Sequence, residues 1–135
     1  KHHFKDQANI SIKTELQANL PRIMGDESQL KQVIINLFIN ALDATEKGGE
    51  IRIVTRSAPG NRTELIVKDS GCGIPVELQD KIFEPFYTTK SVGRGIGVGL
   101  STCYSIVSNH HGEITVTSNK GKGASFTVSL PGMEL

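Results

Sequence analysis

Two asparagines stand one helical turn apart in the middle of the chain. On a helix wound at ~100° per residue, five polar residues fall within an arc of roughly 80°: Gln32, Asn36, Asn40, Asp43 and Lys47. A solvated helix face favours Lys and Glu, whereas the centre of this stripe carries neutral amides. An amide offers a carbonyl oxygen that suits Mg²⁺ and an N–H that donates to phosphate. The stripe taken alone leaves both a solvated face and a phosphate or metal site open.

A carboxylate followed by glycines ends a predicted strand, at Asp69-Ser70-Gly71-Cys72-Gly73. The simpler interpretation is a tight turn. The functional one is base recognition, because a carboxylate only accepts hydrogen bonds and therefore suits the exocyclic amine of adenine. Glycines beside it would let the base lie against the backbone.

Glycines also alternate directly before a predicted helix, at Gly93, Gly95, Gly97 and Gly99. The free N–H groups of a helix N-terminus bind phosphate. The charged residues from position 87 to 99 are Lys90 and Arg94, both cations, which suits a hinged lid over a polyphosphate. A flexible connector is the alternative. The chain contains neither a Walker A sequence nor a GxGxxG fingerprint.

Hydrophobic periodicity and turn residues predict the order β-α-β-β-α-loop-α-β-β. Asp26 is the expected N-cap of the long helix. Because the strands arrive in hairpins, we expect a mixed, mainly antiparallel sheet with the helices on one face. We predict strands at 9–16, 50–56, 63–69, 113–118 and 124–130, helices at 27–47, 76–82 and from 98 or 99 to 112, and an irregular loop at 84–97.

Composition limits the class of protein. A length of 135 residues predicts one domain, and 15 basic against 14 acidic residues argue against a nucleic-acid binder that works by bulk charge. The sequence has no apolar run of the ~18 residues that a membrane span needs, and no secretory signal pattern. Two cysteines without a CxxC pair indicate neither a zinc site nor a disulfide scaffold. We therefore expect a cytoplasmic domain with no membrane contact of its own, although its parent protein could be membrane-anchored.

In this order, the motifs resemble those of the ATP-binding catalytic domain of two-component sensor histidine kinases, in the GHKL superfamily. The resemblance covers about residues 8–131, and the FYTTK–VGRGIGVGLS spacing is similar to sensors of the nitrogen-regulatory kind. It is carried by QVIINLFINALDA at 32–44 (asparagine box), DSGCGI at 69–74, FEPFYTTK at 83–90, GIGVGLS at 95–101 and GKGASF at 121–126.

This resemblance implies a Bergerat-type two-layer α/β sandwich that binds ATP and Mg²⁺, with a flexible ATP lid at about 87–98. It implies that Asn40 ligates the metal, that Asn36 supports the metal or the phosphates, and that Asp69 recognises adenine. Gly71 and Gly73 would flank the base. The remaining expected nucleotide contacts are Asp43, Ile74, Phe86, Thr88, Thr89, Lys90, Arg94, Gly95, Gly97, Gly99, Leu100 and Ser125.

The sequence departs from the family pattern at the end of the asparagine box. Asp43-Ala44 stand where many histidine kinases have Lys-Tyr, so a phosphate-binding lysine is missing from this helix. Lys90 or Arg94 could replace it, which makes Lys90 a candidate catalytic residue. Ala124 stands where the family often has Thr, so we do not expect a water-mediated contact to the base from that position.

The expected reaction is phosphoryl transfer to histidine rather than hydrolysis. Superfamily members that activate water use a Glu one turn before the metal Asn, and here that position is Asn36, which cannot accept a proton at neutral pH. A neutral imidazole is already nucleophilic. The alternatives are a GHKL ATPase or serine kinase, and a nucleotide-binding interaction module without transferase activity.

The histidine that accepts the phosphoryl group is expected on another domain. His2 and His3 lie at the start of the chain, and His110 and His111 are predicted to meet the dipole at a helix C-terminus. We therefore expect a monomeric catalytic domain that binds ATP without autophosphorylating. Its partner would be the dimerisation and histidine-phosphotransfer domain of the same kinase, with a response regulator served indirectly.

Overall fold

A computed structural model describes residues 9–45, 48–84, 96–118 and 121–133. These residues form five strands and two α-helices in the predicted order. The strands are β1 (Ser11–Leu16), β2 (Glu50–Ala58), β3 (Arg62–Asp69), β4 (Glu113–Ser118) and β5 (Ala124–Pro131). The helices are α1 (Glu27–Ala44) and α2 (Ile96–Asn109), and a single 3₁₀ turn spans Val76–Leu78.

The strands form one mixed sheet in the order β1-β2-β3-β5-β4. The β1–β2 pair is parallel, and the β2–β3, β3–β5 and β5–β4 pairs are antiparallel. The register places Ile53 beside Val67 and Val67 beside Phe126, so apolar side chains of successive strands share one face. Both helices pack on that face, where Leu37 and Val107 are completely buried. The mainly antiparallel two-layer sandwich is confirmed.

Helix α1 begins as predicted and ends earlier. The Asp26 carboxylate accepts a hydrogen bond from the Gln29 N–H at 3.0 Å, which confirms the N-cap. The helix ends at Ala44, so the predicted end at position 47 is wrong. Thr45 has extended backbone, and its Oγ1 donates to the Ala41 carbonyl at 2.7 Å. A residue type with low helix propensity thus stops the helix before the glycine pair that was expected to do so.

Helix α2 begins at Ile96, before the predicted start at position 98 or 99. The helix continues through Gly97 and Gly99, although glycine lowers helix propensity. The helix ends at Asn109 in a Schellman motif: the Gly112 N–H donates to the Val107 carbonyl at 2.9 Å, and His111 takes the left-handed conformation at φ 63°.

Two other elements differ from expectation. Strand β1 was predicted to be half-buried, but Ile12 is 51% and Leu16 is 63% exposed, because this edge strand lies beyond the part of the sheet that the helices cover. The predicted helix at 76–82 is only the 3₁₀ turn. Most of the predicted loop at 84–97, including positions 85–95, lies outside the described residues.

The core predicts a large difference between two aliphatic positions of α1. Leu37→Ala removes a fully buried side chain and should lower the free energy of unfolding by about 2–5 kcal/mol. Ile35→Ala, at a position that is 50% exposed, should change it by less than about 0.5 kcal/mol. Urea unfolding followed by circular dichroism measures both, and equal effects would contradict the packing described.

Candidate nucleotide-binding site

The carboxylate of Asp69 is buried at the C-terminal end of β3, where the side chain points to the helix face of the sheet. Its Oδ1 accepts hydrogen bonds from the Gly71 N–H at 2.8 Å and from the Ala124 N–H at 3.3 Å. Burial raises the pKa of Asp69 above its ordinary value, and these two backbone bonds oppose that shift. Both hydrogen bonds are accepted by Oδ1, and Oδ2 takes part in neither of them.

Glycines allow the chain to approach Asp69 this closely. A side chain on Gly71 would collide with the Ala44 carbonyl at the end of α1 and would come within 3.0 Å of Asp69 Oδ1. Gly123 has φ +87°, and a side chain there would collide with the carbonyl of Asp69. The buried carboxylate is therefore next to the C-terminal end of α1, the helix that carries the asparagine stripe.

The loop after Asp69 is fastened to the β4–β5 hairpin by a group of hydrogen bonds. Ser118 Oγ accepts from the Ile74 N–H at 2.7 Å and donates to the Gly123 carbonyl at 2.9 Å. Gln79 Nε2 donates to the Ile74 carbonyl at 3.0 Å and to the Ser118 carbonyl at 3.2 Å. The Gly121 N–H donates to the Cys72 carbonyl at 2.7 Å. The loop after Asp69, which is predicted to contact a base, is thus held to the β4–β5 hairpin by several hydrogen bonds.

Asn36, in the asparagine stripe of α1, contacts the first turn of α2. Asn36 is half-buried, and its Nδ2 donates to the Gly99 carbonyl at 3.3 Å. Its Oδ1 accepts from Gln32 Nε2 at 2.7 Å, which fixes the orientation of the amide. Asn40 and Asp43, further along α1, are also half-buried. Asn36 therefore joins the two helices, while Asn40 lies one turn closer to Asp69.

Cys103 is buried in the contact between the same two helices. Its side chain is completely buried, and Sγ donates to the Val33 carbonyl at 3.7 Å. Burial raises the pKa of the Cys103 thiol to about 11, so the thiol is neutral at physiological pH.

The other predicted site residues lie in different places. Gly73 and Ile74 are in the loop held by Ser118, and Gly97 and Gly99 are in α2, where the Gly99 carbonyl contacts Asn36. The Leu100 side chain is 5% exposed and belongs to the core. Ser125 pairs with Lys68 across the strands, so it lies on the sheet face opposite Asp69. Ser125 and Asp69 were expected to contact the same nucleotide, but they are not neighbours. Outside the described residues lie Phe86, Thr88, Thr89, Lys90, Arg94 and Gly95.

Three further residues support this region. Gln32 stands four residues before Asn36 in the predicted polar stripe, and what the sequence did not predict is its bond to Asn36. Gln79 and Ser118 carry no local signal, since their partners are brought to them by the sheet. Neither residue stands in a motif that predicts a binding site.

The arrangement combines a buried strand-end carboxylate with an amide stripe, across a glycine-rich loop. The family model for histidine kinase-, DNA gyrase B- and HSP90-like ATPases matches residues 25–134. The chain belongs to this family. In line with that, its curated relatives include the signal transduction histidine-protein kinase AtoS of Escherichia coli, 43% identical over 93% of this chain and 20% of AtoS.

Solved structures give the same fold. The catalytic domain of histidine kinase ThkA superposes with a TM-score of 0.82 at 35% identity, covering 97% of this chain and 84% of that domain. ThkA has also been solved in complex with the response regulator TrrA, with a TM-score of 0.77, 33% identity and coverage of 98% and 36%. Full-length ShkA in complex with AMPPNP gives a TM-score of 0.84 at 28% identity, covering 99% of this chain and 28% of ShkA.

These comparisons refine the expectation drawn from the motifs. The resemblance to the catalytic domain of sensor histidine kinases is confirmed, whereas the finer similarity to nitrogen-regulatory sensors is minor. The chain spans only a fifth of the length of AtoS. Neither of the two described helices is long and apolar enough to cross a membrane.

Ser118 is expected to order the loop beside Asp69. Ser118→Ala removes the acceptor of the Ile74 N–H and should lower the hydrogen-exchange protection of that amide roughly fivefold or more. Ser105→Ala, at an exposed position of α2, is the matched control and should leave it unchanged. Ile74 protection that is the same in both variants would show that Ser118 does not hold the loop.

Proposed function

We propose that the chain binds Mg-ATP and transfers the γ-phosphoryl group to a histidine on a separate dimerisation and phosphoacceptor domain of a two-component sensor kinase. One observation carries the proposal. Gly71 packs between the Asp69 carboxylate and the end of α1, so a base-recognising acceptor and an amide stripe border the same loop. A nucleotide is a ligand with an amine at one end and phosphates at the other, which matches that pair.

Asp69 suits adenine because of where its hydrogen bonds fall. The Gly71 and Ala124 N–H groups occupy Oδ1, so Oδ2 is available as an acceptor for the exocyclic amine. Guanine has a carbonyl at the equivalent place and would meet a second acceptor there. The same bonds fix the carboxylate before a ligand arrives, which lowers the entropy lost on binding.

The phosphates and the metal are assigned to α1 and the start of α2. Asn40 offers an uncharged oxygen in a half-buried position, which suits Mg²⁺. Asn36 has its Nδ2 on the Gly99 carbonyl, so its part is to hold α1 against α2 and to present the remaining lone pair of Oδ1. Mg²⁺, when bound, would neutralise the phosphate charge that grows during transfer. Lys90 and Arg94 are the proposed cationic residues of the lid.

Transfer to histidine is favoured over hydrolysis because α1 has no general base at this place. Asn36, one turn before Asn40, cannot accept a proton, and its amide is already bonded at both ends. An imidazole nucleophile needs no such base. The complex of ThkA with a response regulator agrees with a chain of transfers in which this domain acts first and the regulator receives the phosphoryl group later.

We propose a cytoplasmic position for the domain, whether or not its parent protein is anchored in a membrane.

Asp69→Asn tests adenine recognition without emptying the pocket. The amide oxygen still accepts from Gly71 and Ala124, which puts the Nδ2 donor where Oδ2 was. ATP affinity should fall roughly 10–150-fold, since a charge-assisted bond is replaced by two facing donors. ITP, which carries a carbonyl in place of the amine, should lose less. Isothermal titration measures both, and Asp80→Asn, at an exposed position, is the control.

The raised pKa of Asp69 gives this prediction a pH dependence. Because its pKa is raised, the Asp69 carboxylate takes up a proton at a higher pH than an ordinary Asp does. As the pH is lowered, the ATP affinity of the wild type should therefore fall more steeply than that of Asp69→Asn. For stability the sign is opposite: a carboxylate with a raised folded pKa costs stability once the pH rises above its unfolded pKa. Asp69→Asn should therefore be at least as stable as the wild type at pH 7.5. An unchanged ATP dissociation constant would refute the assignment.

The reaction is tested by mixing the chain with Mg-ATP and the phosphoacceptor domain of a related sensor kinase. We expect an acid-labile, base-stable phosphohistidine on that domain, and its loss with Asn40→Ala. An acid-stable phosphoserine, or steady ATP hydrolysis that Asn36→Ala abolishes, would instead indicate a serine kinase or an ATPase. ATP binding without any transfer would indicate a nucleotide-binding module.

A further inference from the structure

His110 is bonded through both ring nitrogens at the C-terminal end of α2. The side chain is 9% exposed, and its Nε2 lies 3.0 Å from the backbone nitrogen of Asp26, the N-cap of α1. Its Nδ1 lies 2.8 Å from the Ile106 carbonyl oxygen in the last turn of α2. The predicted contact of His110 with the end of its own helix is present, and a second bond reaches the other helix.

The two partners determine the protonation state of the ring. A backbone N–H only donates, so Nε2 must be the bare acceptor, and a carbonyl only accepts, so Nδ1 must carry the proton. His110 is therefore a neutral imidazole with its proton on Nδ1. Protonation of Nε2 would place two donors against each other and break the bond to Asp26.

The His110 ring packs closely against the backbone that precedes α1. A side chain at Gly25 would come within 2.5 Å of His110 Cδ2 and 2.8 Å of Nε2, so the ring lies directly against the backbone there. Among titratable groups, Asp26 borders the ring from the α1 side, with its carboxylate on the Gln29 N–H. Helix α2 has no charged side chain from Ile96 to Asn109, and His111 follows the ring in sequence.

This bond stands at one end of a series of polar contacts that joins α1 to α2 within the described residues. Going along the pair, Asp26 bonds His110, Val33 bonds Cys103 and Asn36 bonds Gly99. The residue numbers rise on α1 as they fall on α2, so the helices are antiparallel. Release of the first bond frees the first turn of α1, and the proposed phosphate site lies at the other end of the same contact.

We infer that His110 is a pH-sensitive positioning residue, which fixes the start of α1 against α2 only as a neutral imidazole. Acid that protonates the ring loosens this end of the helix pair. The consequence for nucleotide affinity rests on the function proposed above, whereas the loosening itself does not.

The first experiment needs no variant and no nucleotide. In ¹⁵N-labelled protein at pH 7.5, the imidazole spectrum of His110 should show a protonated Nδ1 and a bare Nε2. The protection factor of the Asp26 amide, corrected for intrinsic exchange, should fall roughly fivefold or more between pH 7.5 and 5.5. A proton on Nε2 at pH 7.5, or protection that does not depend on pH, would overturn the inference.

Two variants separate His110 from other titrating groups. His110→Gln keeps an acceptor for the Asp26 N–H and carries no ionisable group, so its Asp26 protection should no longer depend on pH. His111→Asn is the matched control, because Asn tolerates the left-handed backbone of that exposed position, and it should behave as the wild type. Persistence of the pH dependence in His110→Gln would assign it to another group and reject His110.

The effect on nucleotide binding is read from affinity ratios. Between pH 7.5 and 5.5, AMPPNP affinity should fall roughly fivefold more in the wild type than in His110→Gln. Titration of the nucleotide itself is common to both proteins and cancels. Equal ratios would limit His110 to a structural role and reject the positioning. No binding in any protein at either pH would instead contradict the proposed function, while the Asp26 amide still reports on its bond to His110.

Discussion

The buried carboxylate of Asp69 is the constraint on which this site depends. Taking an ionised carboxylate out of water is costly unless donors replace the lost hydration. Here the replacements are the N–H groups of Gly71 and Ala124, which come from the loop after β3 and from the start of β5. Both segments can come so close only because positions 71 and 123 lack side chains. One charge therefore explains the glycines on either side of it.

The packing of the two helices supplies the other half of the site. The contact between α1 and α2 is apolar where Leu37 and Val107 are buried, and it carries polar bonds at intervals along its length. These hydrogen bonds can form in only one register of the two helices. They therefore fix how α1 is aligned along α2, which apolar packing alone would define less sharply. Asn36 thereby takes a fixed place relative to the first turn of α2, next to the proposed phosphate site.

Features encoded by neighbouring residues were accessible from the sequence. The Asp26 cap, the two hairpins and the strand-end position of Asp69 follow from local periodicity and turn chemistry, and all of them are present. The asparagine stripe could be predicted from the helical repeat alone, because its members are spaced three or four residues apart. Residues that depend on distant partners were missed, because nothing near Ser118 or Gln79 in sequence indicates the loop that they hold. The exposure of β1 was missed for the same reason, since it depends on which strands the helices cover.

The most direct measurement is a crystal structure of this chain with AMPPNP and Mg²⁺. We expect the exocyclic amine of adenine within hydrogen-bond distance of Asp69 Oδ2, and Mg²⁺ coordinated by Asn40 Oδ1. A nucleotide bound on the opposite face of the sheet, beside Lys68 and Ser125, or an adenine amine directed away from Asp69, would contradict it.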